Sequence, residues 1–89
     1  MSVVLDTPRR VGDVVVAALC RQVLTPMRLG GGAGAGIALA GAKVPVAILL
    51  AEGGGVRALG LDGAALADAQ VEALCPGALT RMAEAAAAP

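Results

Sequence analysis

The side chains able to do chemistry in this chain of 89 residues are few. There are two cysteines (Cys20 and Cys75), one serine (Ser2), one lysine (Lys43) and no histidine. A serine–histidine–aspartate triad is therefore impossible, and neither cysteine has a histidine to take its proton. Cys20 precedes Arg21, whose charge favours a thiolate where the thiol is accessible, but a buried, inert thiol is the simpler reading. Lys43 opens an apolar run and reads as a solvated strand-end charge. Asp68 and Glu72 stand four apart, a like-charge pair on one helix face rather than an acid and a base. With no C-x-x-C and no histidine, a zinc site cannot be assembled. The expectation is a chain with no catalytic residue, no metal and no cofactor.

The other candidate is a run of glycine and alanine from Gly30 to Gly36. Gly30-Gly31-Gly32-Ala33-Gly34-Ala35 satisfies the dinucleotide pattern G-x-G-x-x-A after a strand-like segment. The acid that should follow about 20 residues on is represented only by Glu52, in a turn-like stretch. A phosphate-binding P-loop also fails. Four residues separate Gly36 from Gly41, but Ala42 intervenes before Lys43, and Val44 stands where a magnesium-binding hydroxyl belongs. Leu29 to Ala51 is long enough to span a membrane. Yet Lys43 near its middle costs about 2.5–3.5 kcal/mol, Pro45 follows, and no Trp or Tyr anchors the ends. A membrane span is not expected. Gly30, Gly31, Gly32, Gly34 and Gly36 remain as a packing or ligand loop, where missing side chains let backbones approach closely.

Bulk composition points to association. The chain has no aromatic residue, and alanine supplies much of its 57% hydrophobic content. A single domain of this size hides only about 60% of its unfolded surface, and the side chains that bury most area are missing. Core burial should be thin, with self-association supplementing it. The partner expected is a second copy or a larger assembly. Nucleic acid is excluded because net charge is zero, the basic residues are scattered, and there are no aromatic stacking platforms. Charge is uneven along the chain. Arg9, Arg10, Arg21, Arg28 and Lys43 against Asp6 and Asp13 leave residues 1–43 at +3. Arg57 and Arg81 against Glu52, Asp62, Asp68, Glu72 and Glu84 leave residues 44–89 at −3. The N-terminus lacks the apolar core of a signal peptide, so a cytoplasmic location with reduced thiols is expected. Nothing in the sequence supports a Cys20–Cys75 disulfide.

Local patterns place the elements. Residues 2–5 read as a strand. Residues 9–21 read two ways. Thr7-Pro8 suggests a helix start and Val11, Val14, Val15, Ala18 and Leu19 fall at helical spacing, but Gly12 and the β-branched Val14–Val16 favour a strand. Residues 22–29 form a strand, with Pro26 marking an edge or bulge. Residues 44–51, a nearly continuous aliphatic run, predict a strand buried on both faces. Glu52-Gly53-Gly54-Gly55 is a turn into its hairpin partner, 56–61. Beyond Asp62-Gly63 the pattern becomes helical, with Pro76 dividing two helices and opening the second.

One pattern exceeds composition. Val11-Gly12-Asp13, then Leu24, Pro26 and Met27, then Gly30 to Gly36, then Pro45 to Leu50, and finally Gly55, Val56, Arg57 and Leu59 resemble the GerW/YtfJ sporulation and spore-germination family. That family carries an opening V-G-acid element, a Gly-rich stretch and two apolar strands. The resemblance covers residues 11–61. Val14 stands where the family has proline, the Gly stretch is short, and the C-terminal helices have no counterpart. It implies a small β-rich domain without catalytic residues and a role in spore or envelope physiology. It also tips residues 11–19 towards a strand.

The sequence thus predicts one α+β domain over 1–89, a small, mainly antiparallel sheet with a Gly-rich loop and one or two C-terminal helices. Residues 1–63 form the β-rich part with the loop at 30–36, and residues 64–88 the helical part. The expected function is that of a structural or interaction protein associating with itself through its apolar, Gly-rich middle. The alternative is a small accessory module whose Gly loop holds an anion or a partner protein.

Overall fold

The computed structural model describes residues 2–29 and 36–88 and, within them, the side chains outside 24–41. Six strands come first: β1 (Val3–Leu5), β2 (Arg9–Val11), β3 (Val14–Leu29), β4 (Gly36–Glu52), β5 (Gly55–Gly60) and β6 (Ala65–Leu66). Two helices follow, α1 (Asp68–Leu74) and α2 (Ala78–Ala87). All strand pairs are antiparallel, in the order β1-β3-β4-β5-β6, with β2 beside β1 along the same edge of β3. This is the predicted small α+β fold.

The hairpin turns follow from glycine. Two residues join β2 to β3, and Gly12 takes φ 61° at the first of them while Asp13 stays in the ordinary region. That geometry matches the right-handed strand twist and excludes most other side chains. Gly53 and Gly54 both take positive φ, 59° and 82°, in the two-residue turn between β4 and β5. The expected turn at 52–55 is therefore present, with β5 as its hairpin partner.

Residues 9–21 are strands, not helix. Thr7 and Pro8 fall in the link between β1 and β2 rather than at a helix start. The helical spacing of the valines lost to pairing on both sides. Val14–Val16 meets β2 on one edge and residues 50–51 of β4 on the other. The bulge between Leu19 and Cys20 then realigns β3 with β1 and β4. β4 begins at Gly36, eight residues before the predicted start at 44, because 36–43 pair in register with 22–29. β3 and β4 consequently extend past the rest of the sheet as a two-stranded ribbon, and the molecule's longest dimension is 59 Å.

Both predicted C-terminal helices form. The first starts later than the pattern suggested, since Ala65 and Leu66 pair with Leu59 and Ala58. Gln70 Oε1 accepts from the Ala67 N–H at 2.8 Å, satisfying the first exposed amide of α1. Glu72 Oε2 accepts from the Gly77 N–H at 3.0 Å, bracing the corner between the helices. Pro76 lies in that corner, and Gly77 rather than Pro76 precedes the first turn of α2. On α2 the buried positions are Ala78 and Met82, with Leu79, Ala85 and Ala86 half-buried. Ala83 is exposed.

The core is one layer between the helices and one face of the sheet. Val15, Ala17, Leu19, Ala47, Leu49, Ala51 and Ala58 meet Val71, Cys75, Ala78 and Met82. Five of these eleven residues are alanine, so the layer is thin in volume, and no buried side-chain polar atom among the described residues lacks a partner.

Candidate association interface

Directly opposed residues in an antiparallel sheet point to the same side, and neighbours along a strand point to opposite sides. The register therefore assigns each residue a face. One row facing the helices is Arg10, Val15, Ala51 and Val56, and the next holds Ala17, Leu49, Ala58 and Leu66. The opposite face carries Arg9, Val16, Leu50 and Arg57 in one row and Ala18, Ile48, Leu59 and Ala65 in the next. Val14, opposite Val11, and Val4, opposite Cys20, extend it at its two ends.

No described element covers this outer face. Ile48 is 39% exposed and Val11 66%, while Val14, Val16, Ala18, Leu50 and Leu59 are half-buried by their neighbours in the sheet. The prediction that 44–51 is buried on both faces holds for one face only. Ala47, Leu49 and Ala51 are buried, whereas Ile48 and Leu50 face outward, because both helices pack on the same side. Strand spacing of about 4.8 Å and a rise of about 3.4 Å per residue give the outer face on the order of 500 Å². Its charges lie at its margin. Arg57 Nη2 is 3.8 Å from Glu52 Oε1, with both side chains largely exposed, so this pair contributes little.

The predicted Gly loop is placed only in part. Gly30, Gly31, Gly32 and Gly34 lie outside the described residues. Gly36 is the first residue of β4, opposite Leu29, and so belongs to a strand rather than the loop.

At one end of the sheet, a cleft of about 360 Å³ opens between the β4–β5 turn and the last turn of α2, lined in part by Arg10, Asp13, Glu52 and Ala86. Arg10 Nη2 donates to the carbonyls of Ala86 (3.2 Å) and Ala88 (3.3 Å), so its cation closes the negative end of α2. At the other end, Lys43 Nζ meets Asp6 Oδ1 at 3.2 Å. That contact holds the Asp6 carboxyl below the usual aspartate range, with the Thr7 backbone adding to the effect. Lys43 is therefore a paired charge within β4, opposite Gln22, and not at the strand end that the sequence suggested. Both cysteines are buried free thiols. Arg81 Nη2 donates to Cys75 Sγ at 3.4 Å.

Among the described residues, no three His, Cys, Asp or Glu side chains are grouped for metal binding. No helix among them is long and apolar enough to cross a membrane. No known protein family, curated protein or solved structure matches this chain. What sequence reading missed is the outer face. The signal was present in β4, where Ala47-Ile48-Leu49-Leu50-Ala51 supplies apolar residues to both faces, but its meaning depended on which side the helices took.

Proposed function

We propose that this is a non-catalytic structural or interaction protein that associates with itself, and that the surface responsible is the outer face of the sheet. The supporting observation is the distribution of side-chain size. β3, β4 and β5 turn four alanines (Ala17, Ala47, Ala51 and Ala58) with Val15, Leu19 and Leu49 toward the helices, and Val16, Ile48, Leu50 and Leu59 with a single alanine, Ala18, away from them. Full burial of a large aliphatic side chain brings about 1.5–3 kcal/mol, and the half-buried or exposed ones on this face forfeit part of it. A contiguous patch of this kind marks an interaction site. A second copy carries the same patch, and packing two outer faces about 10 Å apart would build the second core layer that one chain lacks.

The proposed interface is made by Val14, Val16, Ala18, Ile48, Leu50 and Leu59, whereas the sequence expectation named the Gly-rich middle. Kinship with the GerW/YtfJ family is part of this proposal. It is supported by the resembling segments 45–50 and 55–59, which form adjacent strands β4 and β5. A cytoplasmic location is likewise proposed, from the reduced thiols.

The test is solution mass by light scattering, at micromolar concentration, for the natural chain and for Leu50→Lys with Ile48→Lys. The natural chain should exceed one copy, and the double variant should lose mass while keeping its circular dichroism. A natural chain with the mass of one copy would refute the proposal.

A further inference from the structure

The ribbon formed by 22–29 and 36–43 has two edges with different chemistry. β1 stops opposite Arg21 and β5 stops opposite Ala47, so among the described residues neither edge of the ribbon has a neighbouring strand. An isolated two-stranded ribbon is marginal in water. The backbone directions can be read from the base of the ribbon. Asp6 N–H donates to Ala18 O at 2.9 Å, and Gln22 N–H donates to Ser2 O at 3.1 Å, so Ala18 and Gln22 turn their polar groups away from β4. Antiparallel pairing alternates this direction. Leu24, Pro26 and Arg28 therefore present their backbone groups outward from β3. Their partners Gly41, Leu39 and Ile37 do the same from β4.

The β3 edge is guarded. Pro26 has no N–H at the middle of the outward series, and the strand carries Arg21 and Arg28. The β4 edge has no such device. From Gly36 to Ala42 the sequence is Gly-Ile-Ala-Leu-Ala-Gly-Ala, with no proline and no charge, and Ile37, Leu39 and Gly41 offer complete backbone groups. Native proteins rarely leave a long, uncharged edge unless it is paired.

The geometry points to residues 36–42 of β4 as a strand-pairing edge whose occupant is the same segment of a second copy, joined antiparallel. A second copy fits for two reasons. Antiparallel pairing puts the two Lys43 residues at opposite ends of the joined segment, so the charges that flank it on β4 do not meet. It also places both outer faces on the same side of one continuous sheet, merging the proposed association surface. This inference rests on self-association and names a second contact for it. Edge pairing and face packing together would give an assembly larger than a dimer.

The test combines hydrogen exchange of the natural chain with the solution mass of Leu39→Pro. Leu39 lies opposite Pro26, and its N–H points outward, so proline there spares the β3–β4 ladder. In the associated protein the amides of Ile37, Leu39 and Gly41 should exchange about tenfold or more slowly than those of Leu24 and Arg28 on the guarded edge. Leu39→Pro should halve the assembly mass. A natural chain with the mass of one copy overturns both this inference and the proposed function. An assembled natural chain in which both sets of amides exchange equally fast overturns edge pairing alone, whatever Leu39→Pro does to folding.

Discussion

Along β4, Ala47, Leu49 and Ala51 alternate with Ile48 and Leu50, and the two sets experience different surroundings. The first set lies under the helices, almost wholly hidden from solvent, in a layer where alanine is the commonest residue. The second faces away, where no described element packs, although its side chains are the larger. Small residues let α2 approach the sheet closely. Large ones on the far side leave apolar area that no described element covers. A β-sheet with helices on one face is a two-layer arrangement, and the comparison teaches that its second apolar face has no layer of its own among the described residues.

The comparison can be broken most sharply at Leu49 and Leu50, which are neighbours in sequence. Leu49→Ala removes a fully buried side chain and should lower unfolding stability by about 2–5 kcal/mol. Leu50→Ala, measured by urea unfolding at a dilution that gives single chains, should cost less than half as much. Equal losses would mean that the outer face is already packed within one chain. Ala17 and Ala18 test the same division in the opposite direction. Ala17→Leu forces volume into the closed layer and should destabilise by about 1–3 kcal/mol, whereas Ala18→Leu should be tolerated in the single chain.

Two smaller effects concern the ends of the sheet. Arg10 sits at the end of a helix-facing row and closes α2, so Arg10→Ala should cost about 0.3–1 kcal/mol. A thermal melt should show this as a midpoint lower by a few degrees. Arg9, on the outward-facing row, has no such bond among the described residues, and Arg9→Ala should leave the melt unchanged. The smallest effect is at Asp6. Lys43 lowers its titration in the folded chain relative to the unfolded one, so the stability it contributes is present above about pH 4 and is lost as pH falls through the folded value. Asp6→Asn should remove a shallow acid-limb slope from unfolding measured between neutral and acid pH. High salt should shrink that slope, because both partners are about half exposed.

Much of the fold was legible because its signals are local. Gly53-Gly54 between two apolar runs specified a hairpin and Pro76 marked the break between two helices, whereas Asp62-Gly63 leads into β6 rather than directly into a helix. Residues 9–21 were ambiguous for a physical reason. Val11, Val14, Val15, Ala18 and Leu19 satisfy a helical period, while Val14–Val16 favours extended backbone, and only pairing with β1, β2 and β4 outweighed the first. The early start of β4 was missed because Gly36, Ala38, Ala40, Gly41 and Ala42 are poor strand formers by themselves, yet they are paired in register with 22–29. The apolar outer face was not legible because a single apolar run does not reveal which of its faces will be covered.

Composition alone determined that this protein has no histidine-based catalysis, no aromatic core and little volume with which to fill one. Residue types at turns determined where the chain reverses, since positive φ at Gly12, Gly53 and Gly54 is a local steric property. Tertiary structure decided the rest. Both helices packed on one side of the sheet, which left the other apolar side without a covering element among the described residues. The register of β3 with β4 carried those strands beyond their neighbours, which gave the chain one guarded edge and one open edge. Those outcomes depend on contacts between residues far apart in sequence, and only the folded chain brings such residues together.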